Sequence, residues 1–215
     1  MIRRTKTSGE SETSVPRTAD HAQRRAQIID GLVRLATRSG LHAVTMRSVA
    51  AEAGVSVRLV QYYFETKAQL LLAALRQLEE DSHARWAVRL AAQHGPQSPR
   101  ERVEALLAEA LPTDEASRTF HLLWTSCAML AMTDPELAAQ PFVEGPNRLE
   151  TQLAELLRQA QSDGVLDRKA DPGAEAARLL ALSHGLGTSV LVGRRTAQAA
   201  TELLGYHLDR LFAPR

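Results

Sequence analysis

A glycine set between two short runs of apolar residues at helical spacing constrains this chain more than any other feature. From residue 45 to residue 70 the sequence reads T-M-R-S-V-A-A-E-A-G-V-S-V-R-L-V-Q-Y-Y-F-E-T-K-A-Q-L. Thr45 is a residue that opens helices, and Val49, Ala50 and Ala53 follow it at helical spacing. Gly54 supplies the left-handed backbone position that ends a helix without a steric penalty. Val55 plugs the turn and Ser56 caps a second helix. On that helix Val60 and Phe64 fall four apart and face inward, while Val57, Arg58, Gln61 and Tyr62 point largely elsewhere. Two helices crossing steeply at so short a turn need a small side chain where they touch, and Ala50 provides it. The pattern predicts a helix-turn-helix, with helices near 45–53 and 56–63, whose second helix enters the major groove of DNA.

The rest of the chain predicts an all-α protein. Ala, Leu, Arg, Glu and Gln dominate its 215 residues, all strong helix formers, and β-branched runs are short. A first helix near 20–39 buries Ile28, Ile29, Leu32, Val33, Leu35 and Ala36, and Gly40 ends it. A fourth begins near Lys67 and runs past Trp86 towards Ala92; the segment H-G-P-Q-S-P at 94–99 breaks the chain. Further helices are expected near 99–110, 114–132, 135–163, 171–192 and 196–212, with Pro141 and Pro146 dividing the third of these. Three regions follow: an arm over 1–20 expected to be disordered, with Arg3, Arg4, Lys6 and Arg17 able to follow phosphates; a three-helix DNA-binding domain over 21–82; and a helical domain over 83–215.

Charge and chemistry narrow the function. The first 80 residues hold 12 Lys/Arg against 8 Asp/Glu, and the remainder 14 against 17, so the positive balance lies with the helix-turn-helix. No apolar stretch reaches the ~18 residues needed to span a bilayer, and no apolar segment resembling a signal peptide opens the chain. One cysteine forms no internal disulfide, which fits a reducing cytoplasm. The seven histidines are scattered, and Glu80-x-x-His83 stands alone where a di-metal bundle needs two such motifs. No cofactor is expected. A helical enzyme or metal bundle is thereby disfavoured; a pure protein-interaction module would not need the basic set Arg47, Arg58 and Lys67.

At the end of a groove-bound helix, Val57, Arg58 and Gln61 reach base edges: Arg58 suits guanine, Gln61 adenine, and Val57 a thymine methyl. Arg47 lies near the groove, and Thr45, Ser48, Tyr62, Tyr63 and Lys67 are placed for the DNA backbone, with Ser56 at the helix start. Tyr63, and less so Tyr62, can equally be a core aromatic. The arrangement T-x-R-x-V-A-x-x-A-G-V-S-x-x-x-V-x-Y-Y-F-x-x-K-x-x-L resembles the DNA-binding domain of the TetR family of bacterial transcriptional regulators over residues 22 to 82. Many members carry a tyrosine where this chain has Gln61. The resemblance implies a base or phosphate contact at Arg47, a double-stranded DNA operator read by a homodimer, and a C-terminal region that binds a small, mostly apolar effector. It implies a ligand-responsive repressor, with an activator of the same fold as the alternative.

Two further sets follow. On the helix near 114–132, Phe120, Trp124 and Cys127 share a stripe, with His121, Ala128, Met129 and Met132 beside it; Trp86, Phe142 and His184 complete a candidate pocket. Such a stripe can equally be core. Near the C-terminus Ala177, Ala181, Gly185 and Thr188 form a small-residue stripe, and Leu204, His207, Leu208 and Leu211 supply apolar area. These residues suit either packing within the chain or a four-helix dimer interface, as the family implies. The helix from Lys67 is the expected lever between the two halves.

Overall fold

The computed structural model describes residues 17–92 and 97–212, and among them there are ten α-helices and no strand. Helix α1 (Arg17–Ser39) leads through a single 3-10 turn (Leu41–Ala43) to α2 (Met46–Ala53) and α3 (Val57–Tyr63). The long α4 (Lys67–Ala92) follows, then α5 (Pro99–Glu109), α6 (Glu115–Ala131), the one-turn α7 (Pro135–Ala138), α8 (Glu144–Ser162), α9 (Pro172–Leu191) and α10 (Ala197–Leu211). The first helix starts three residues earlier than expected, inside the segment assigned to the arm. Arg3, Arg4 and Lys6 lie outside the described residues.

Helix ends follow the local chemistry. Ser98, Asp114, Asp134, Asp171 and Thr196 each accept a backbone N–H at the start of a helix, and Pro99, Pro135 and Pro172 stand in first turns where no N–H partner is needed. Pro146 likewise falls in the first turn of α8, so it helps to begin that helix; Pro141 lies in the gap after α7. Gly164 ends the α8 turn at φ 75°, where any side chain would be strained.

Two cores result. The first joins α1, α2, α3 and the front of α4 around Ile28, Leu32, Val49, Val60, Leu70 and Leu71, and takes in Leu123 and Cys127 of α6. Each fully buried Leu or Ile contributes about 1.5–3 kcal/mol over leaving it exposed. Seven of the eight residues from Ala68 to Leu75 are buried, so the front of α4 is enclosed nearly all round rather than on one stripe. The second core joins α5, α8, α9 and α10 around Val103, Leu107, Leu153, Leu157, Leu179 and Leu208. Leu204 and Leu208 are 4% and 1% exposed in the single chain. This corrects their assignment to a dimer interface: both fill the chain's own core and have no surface to offer a partner.

Candidate DNA-reading helix and interior cavity

The turn between α2 and α3 has the construction its sequence dictates. The Thr45 side chain accepts the Ser48 N–H at 3.0 Å, and the Ser48 hydroxyl accepts the Thr45 N–H at 2.8 Å, which satisfies two unpaired donors reciprocally. Gly54 sits at φ 67°, ψ 33°, and Val55 N–H closes the turn on the Ala50 carbonyl at 2.9 Å. Ser56 then accepts the Leu59 N–H at 3.1 Å. Val60 and Phe64 face the first core, at 0% and 3% exposure.

This places Arg47, Arg58, Gln61 and Tyr62 on the outside, together with the caps Thr45 and Ser56. Arg58 and Gln61 are three apart and share one helix edge. Tyr62 is 72% exposed. Four members of the expected set are turned at least partly inward. Val57 is half-buried against the first core, because the short α3 needs apolar cover on more than the Val60 line. The Ser48 hydroxyl lies 2.7 Å from the Ala43 carbonyl and is committed to the cap. Lys67 Nζ donates to the Leu41 carbonyl at 3.4 Å rather than standing free. Tyr63 is half-buried, its ring 4.6 Å from that of His21 on α1. His21 was not legible as a participant, since 42 residues separate the two rings in sequence and no local pattern joins them.

The pair α1–α2 is held tightly. Gln27 Nε2 donates to the Ala53 carbonyl at 2.8 Å, and Arg34 and Arg38 approach Glu52 at 3.2 and 2.7 Å. The Arg38 and Arg34 hydrogen bonds hold the Glu52 carboxyl below its ordinary range. Arg58→Ala is expected to weaken binding by about 1–3 kcal/mol for one base at one operator position. Competition titrations against single-base variants check it, and an equal loss on every sequence would make Arg58 a phosphate contact instead.

Behind the reading head, between the two cores, lies a largely apolar cavity. Helix α4 contributes Glu79, Ser82, His83 and Trp86; α6 contributes Phe120, His121 and Trp124; α9 contributes His184. Leu106, Glu109 and Ala110 from the end of α5, and Gly145, Pro146 and Leu149 from the start of α8, close it. The Trp124 and His184 rings stack at 4.8 Å. His121 is 5% exposed with Nε2 unpartnered, and the indole N–H groups of Trp86 and Trp124 are also buried without partners. Burial, then the neighbouring His184, pushes the His121 ring down to about 4; burial lowers His184 as well.

Of the ten pocket candidates, Trp86, Phe120, His121, Trp124 and His184 line the cavity. The other five candidates do not. Cys127 is 0% exposed inside the first core, and Phe142 packs against that core. Ala128 is half-buried but not on the cavity wall. Met129 and Met132, at the end of α6, are 60% and 75% exposed, because they lie on the face turned away from the first core, against which Leu130 and Ala131 pack. Sequence reasoning missed the acids. Glu109 is 6% exposed, its Oε2 accepting from Ser82 Oγ at 3.1 Å and Arg85 Nε at 3.2 Å, while Arg89 Nη2 stands 2.9 Å from Oε1. Glu79 is held by Arg148 through both carboxylate oxygens, at 2.8 and 2.9 Å. On the outer side of α9, Ala181, Gly185 and Thr188 are exposed and Ala177 is half-buried; His207 and Leu211 on α10 are half-buried.

Two family models match the chain. Residues 28–74 match the model of bacterial regulatory proteins of the tetR family, and residues 99–213 match the C-terminal model of BetI-type transcriptional repressors. The HTH-type transcriptional regulator BetI of Burkholderia mallei is 31% identical over 203 residues, covering 94% of this chain and 100% of that protein. The HTH-type regulator PksA of Bacillus subtilis is 27% identical over 181 residues, 83% of each chain. Among solved structures, a transcriptional regulator from Saccharomonospora viridis in complex with choline superposes with a TM-score of 0.78 at 28% identity, covering 90% of this chain and 100% of that one. Among the described residues no helix is long and apolar enough to cross a membrane.

Proposed function

We propose, from the premise that this chain belongs to the TetR family of bacterial regulatory proteins, that it is a homodimeric, effector-responsive repressor. As a BetI-like member of that family it is a transcriptional regulator rather than an enzyme. One observation carries the finer reading. A capped, seven-residue helix presents Arg58 and Gln61 outward, and the helix that follows it, α4, runs on to form a wall of the interior cavity. A helix this short reads few bases, so two copies related by a two-fold axis would read two half-sites about 34–36 Å apart, or a multiple of that. The exposed small residues Ala181, Gly185 and Thr188 on α9 support close approach of a second copy.

For the effector, the cavity supports a small cation with an apolar surface. Trp86, Phe120 and Trp124 offer three aromatic rings, and such rings attract quaternary ammonium groups through their electron-rich faces. The choline bound to the Saccharomonospora neighbour supports the same class. Binding there would favour one spacing of the two reading heads over another. The change in operator affinity can be no larger than the effector's preference between the two conformations, typically about 1–3 kcal/mol, or some 5–150-fold.

The test is fluorescence anisotropy with labelled DNA from upstream of the gene, with and without choline, beside sedimentation at micromolar protein. The expected result is a dimer whose DNA affinity falls at least about fivefold with choline. A monomer, or DNA binding indifferent to choline, would remove the dimer or the effector assignment respectively.

A further inference from the structure

We infer that Glu109 is the counter-charge for the cationic head of the effector, and that it takes that head in exchange for the arginines of α4. The inference rests on the quaternary-ammonium reading above and names the residue and the exchange that reading lacks. A cation entering an aromatic-lined cavity loses its hydration, and rings alone compensate part of that loss. A carboxylate on the wall supplies the remainder.

Two carboxylates line the cavity, and they differ. Glu79 is engaged through both oxygens by Arg148, an arginine 52% exposed on α8. Glu109 is 6% exposed, at the last turn of α5, and its Oε2 is hydrogen-bonded while its Oε1 accepts none. Arg89 Nη2 stands 2.9 Å from that oxygen, close enough for ion pairing but without hydrogen-bond alignment. Arg89 is shared besides, its Nη2 also lying 3.4 Å from Asp114 at the cap of α6. A buried carboxylate with one oxygen ion-paired but not hydrogen-bonded is the one that can change partners.

The partner it would give up matters. Ser82, Arg85 and Arg89 all belong to α4, the helix that runs from the reading head to the cavity. Glu109 therefore ties the far half of α4 to the α5–α6 corner. A ligand cation at Oε1 competes with Arg89 and loosens that tie, so occupancy of the cavity and the position of α4 become one equilibrium. Binding and release of DNA are coupled to the extent that the two arrangements differ in affinity for the cation.

The experiment is calorimetric titration of the full chain with two probes of nearly equal shape: choline, and its uncharged isostere 3,3-dimethylbutan-1-ol. Wild type should prefer choline by at least about tenfold, and Glu109→Gln should erase the preference, as expected when one member of a buried charge pair is removed. Arg89→Gln should act the other way and tighten choline several-fold, because the competing cation is gone. Damage to the fold would weaken binding in both variants, so the opposite signs separate the exchange from a structural effect. A preference retained in Glu109→Gln, a preference lost instead in Glu79→Gln, or choline weakened in Arg89→Gln overturns the assignment while leaving the effector class standing. No choline binding by wild type removes the effector class and this inference together.

Discussion

Replacing Gly31 by leucine should abolish sequence-specific DNA binding while leaving the interior cavity able to bind the proposed effector. A Cβ atom at Gly31 would lie 2.9 Å from the Cβ of Ala53 and 3.2 Å from its main-chain N and Cα. Two of those three neighbours are backbone, so no rotamer change relieves the clash. The whole of α2 must move away from α1, and the Gln27 bond to the Ala53 carbonyl and the two arginine contacts to Glu52 go with it. Overpacking of this kind costs about 1–3 kcal/mol for a few methylenes, and more where the backbone cannot yield. In the proposed dimer the α2–α3 unit is then displaced relative to its counterpart, and the match to two half-sites is lost. The cavity lies beyond this contact, lined by the second half of α4 and by α5, α6, α8 and α9. Anisotropy with operator DNA and tryptophan-monitored ligand titration check the two halves separately. DNA affinity within about threefold of wild type, a difference of about 0.65 kcal/mol, would show that the α1–α2 approach is not what sets the reading head.

The second large effect is expected on acidification. The His121 ring is pushed down to about 4 from an ordinary 6.5, chiefly by burial. The unfolded chain takes up this proton near 6.5 and the folded chain only near 4. Between those values the unfolded state binds more protons, so the His121 contribution is complete above about pH 6.5 and is lost as the pH falls towards 4. The gap corresponds to about 3 kcal/mol in all, a large share of a domain's net stability. His184, lowered by burial as well, adds in the same direction. Urea unfolding at about pH 7.5 and about pH 4.5 should show a much smaller stability loss in His121→Gln than in wild type. Equal losses in the two proteins would mean that acid unfolding is driven by other groups.

What was legible in the sequence was local. The Thr45 and Ser56 caps, the Gly54 stop and the inward Val60–Phe64 line depend on residues within a turn of one another, and periodicity is enough to read them. The cavity aromatics were partly legible, because Phe120 and Trp124 recur four apart on one helix edge. Spacing names a face but not what covers it. Met129 and Met132 continue the same apolar pattern, yet they fall on the outer face of α6 and stand in solvent while Leu130 and Ala131 between them pack on the first core. Leu204 and Leu208 show the same ambiguity from the other side, since an internal core and a subunit interface both ask for leucine. Glu109 was invisible for a third reason. In sequence it is an ordinary acid on an amphipathic helix, and only the fold brings Ser82, Arg85 and Arg89 to it, 20 to 27 residues away.

The lone thiol, at position 127, has a practical consequence. Encased among leucines and without a surface, the Cys127 thiol is raised to about 12 by that enclosure. At neutral pH almost none of it is then the thiolate that peroxides, nitrosating agents and alkylating drugs attack. The thiol is therefore expected to stay silent under oxidative stress, and preparations should stay free of disulfide-linked chains without added reductant.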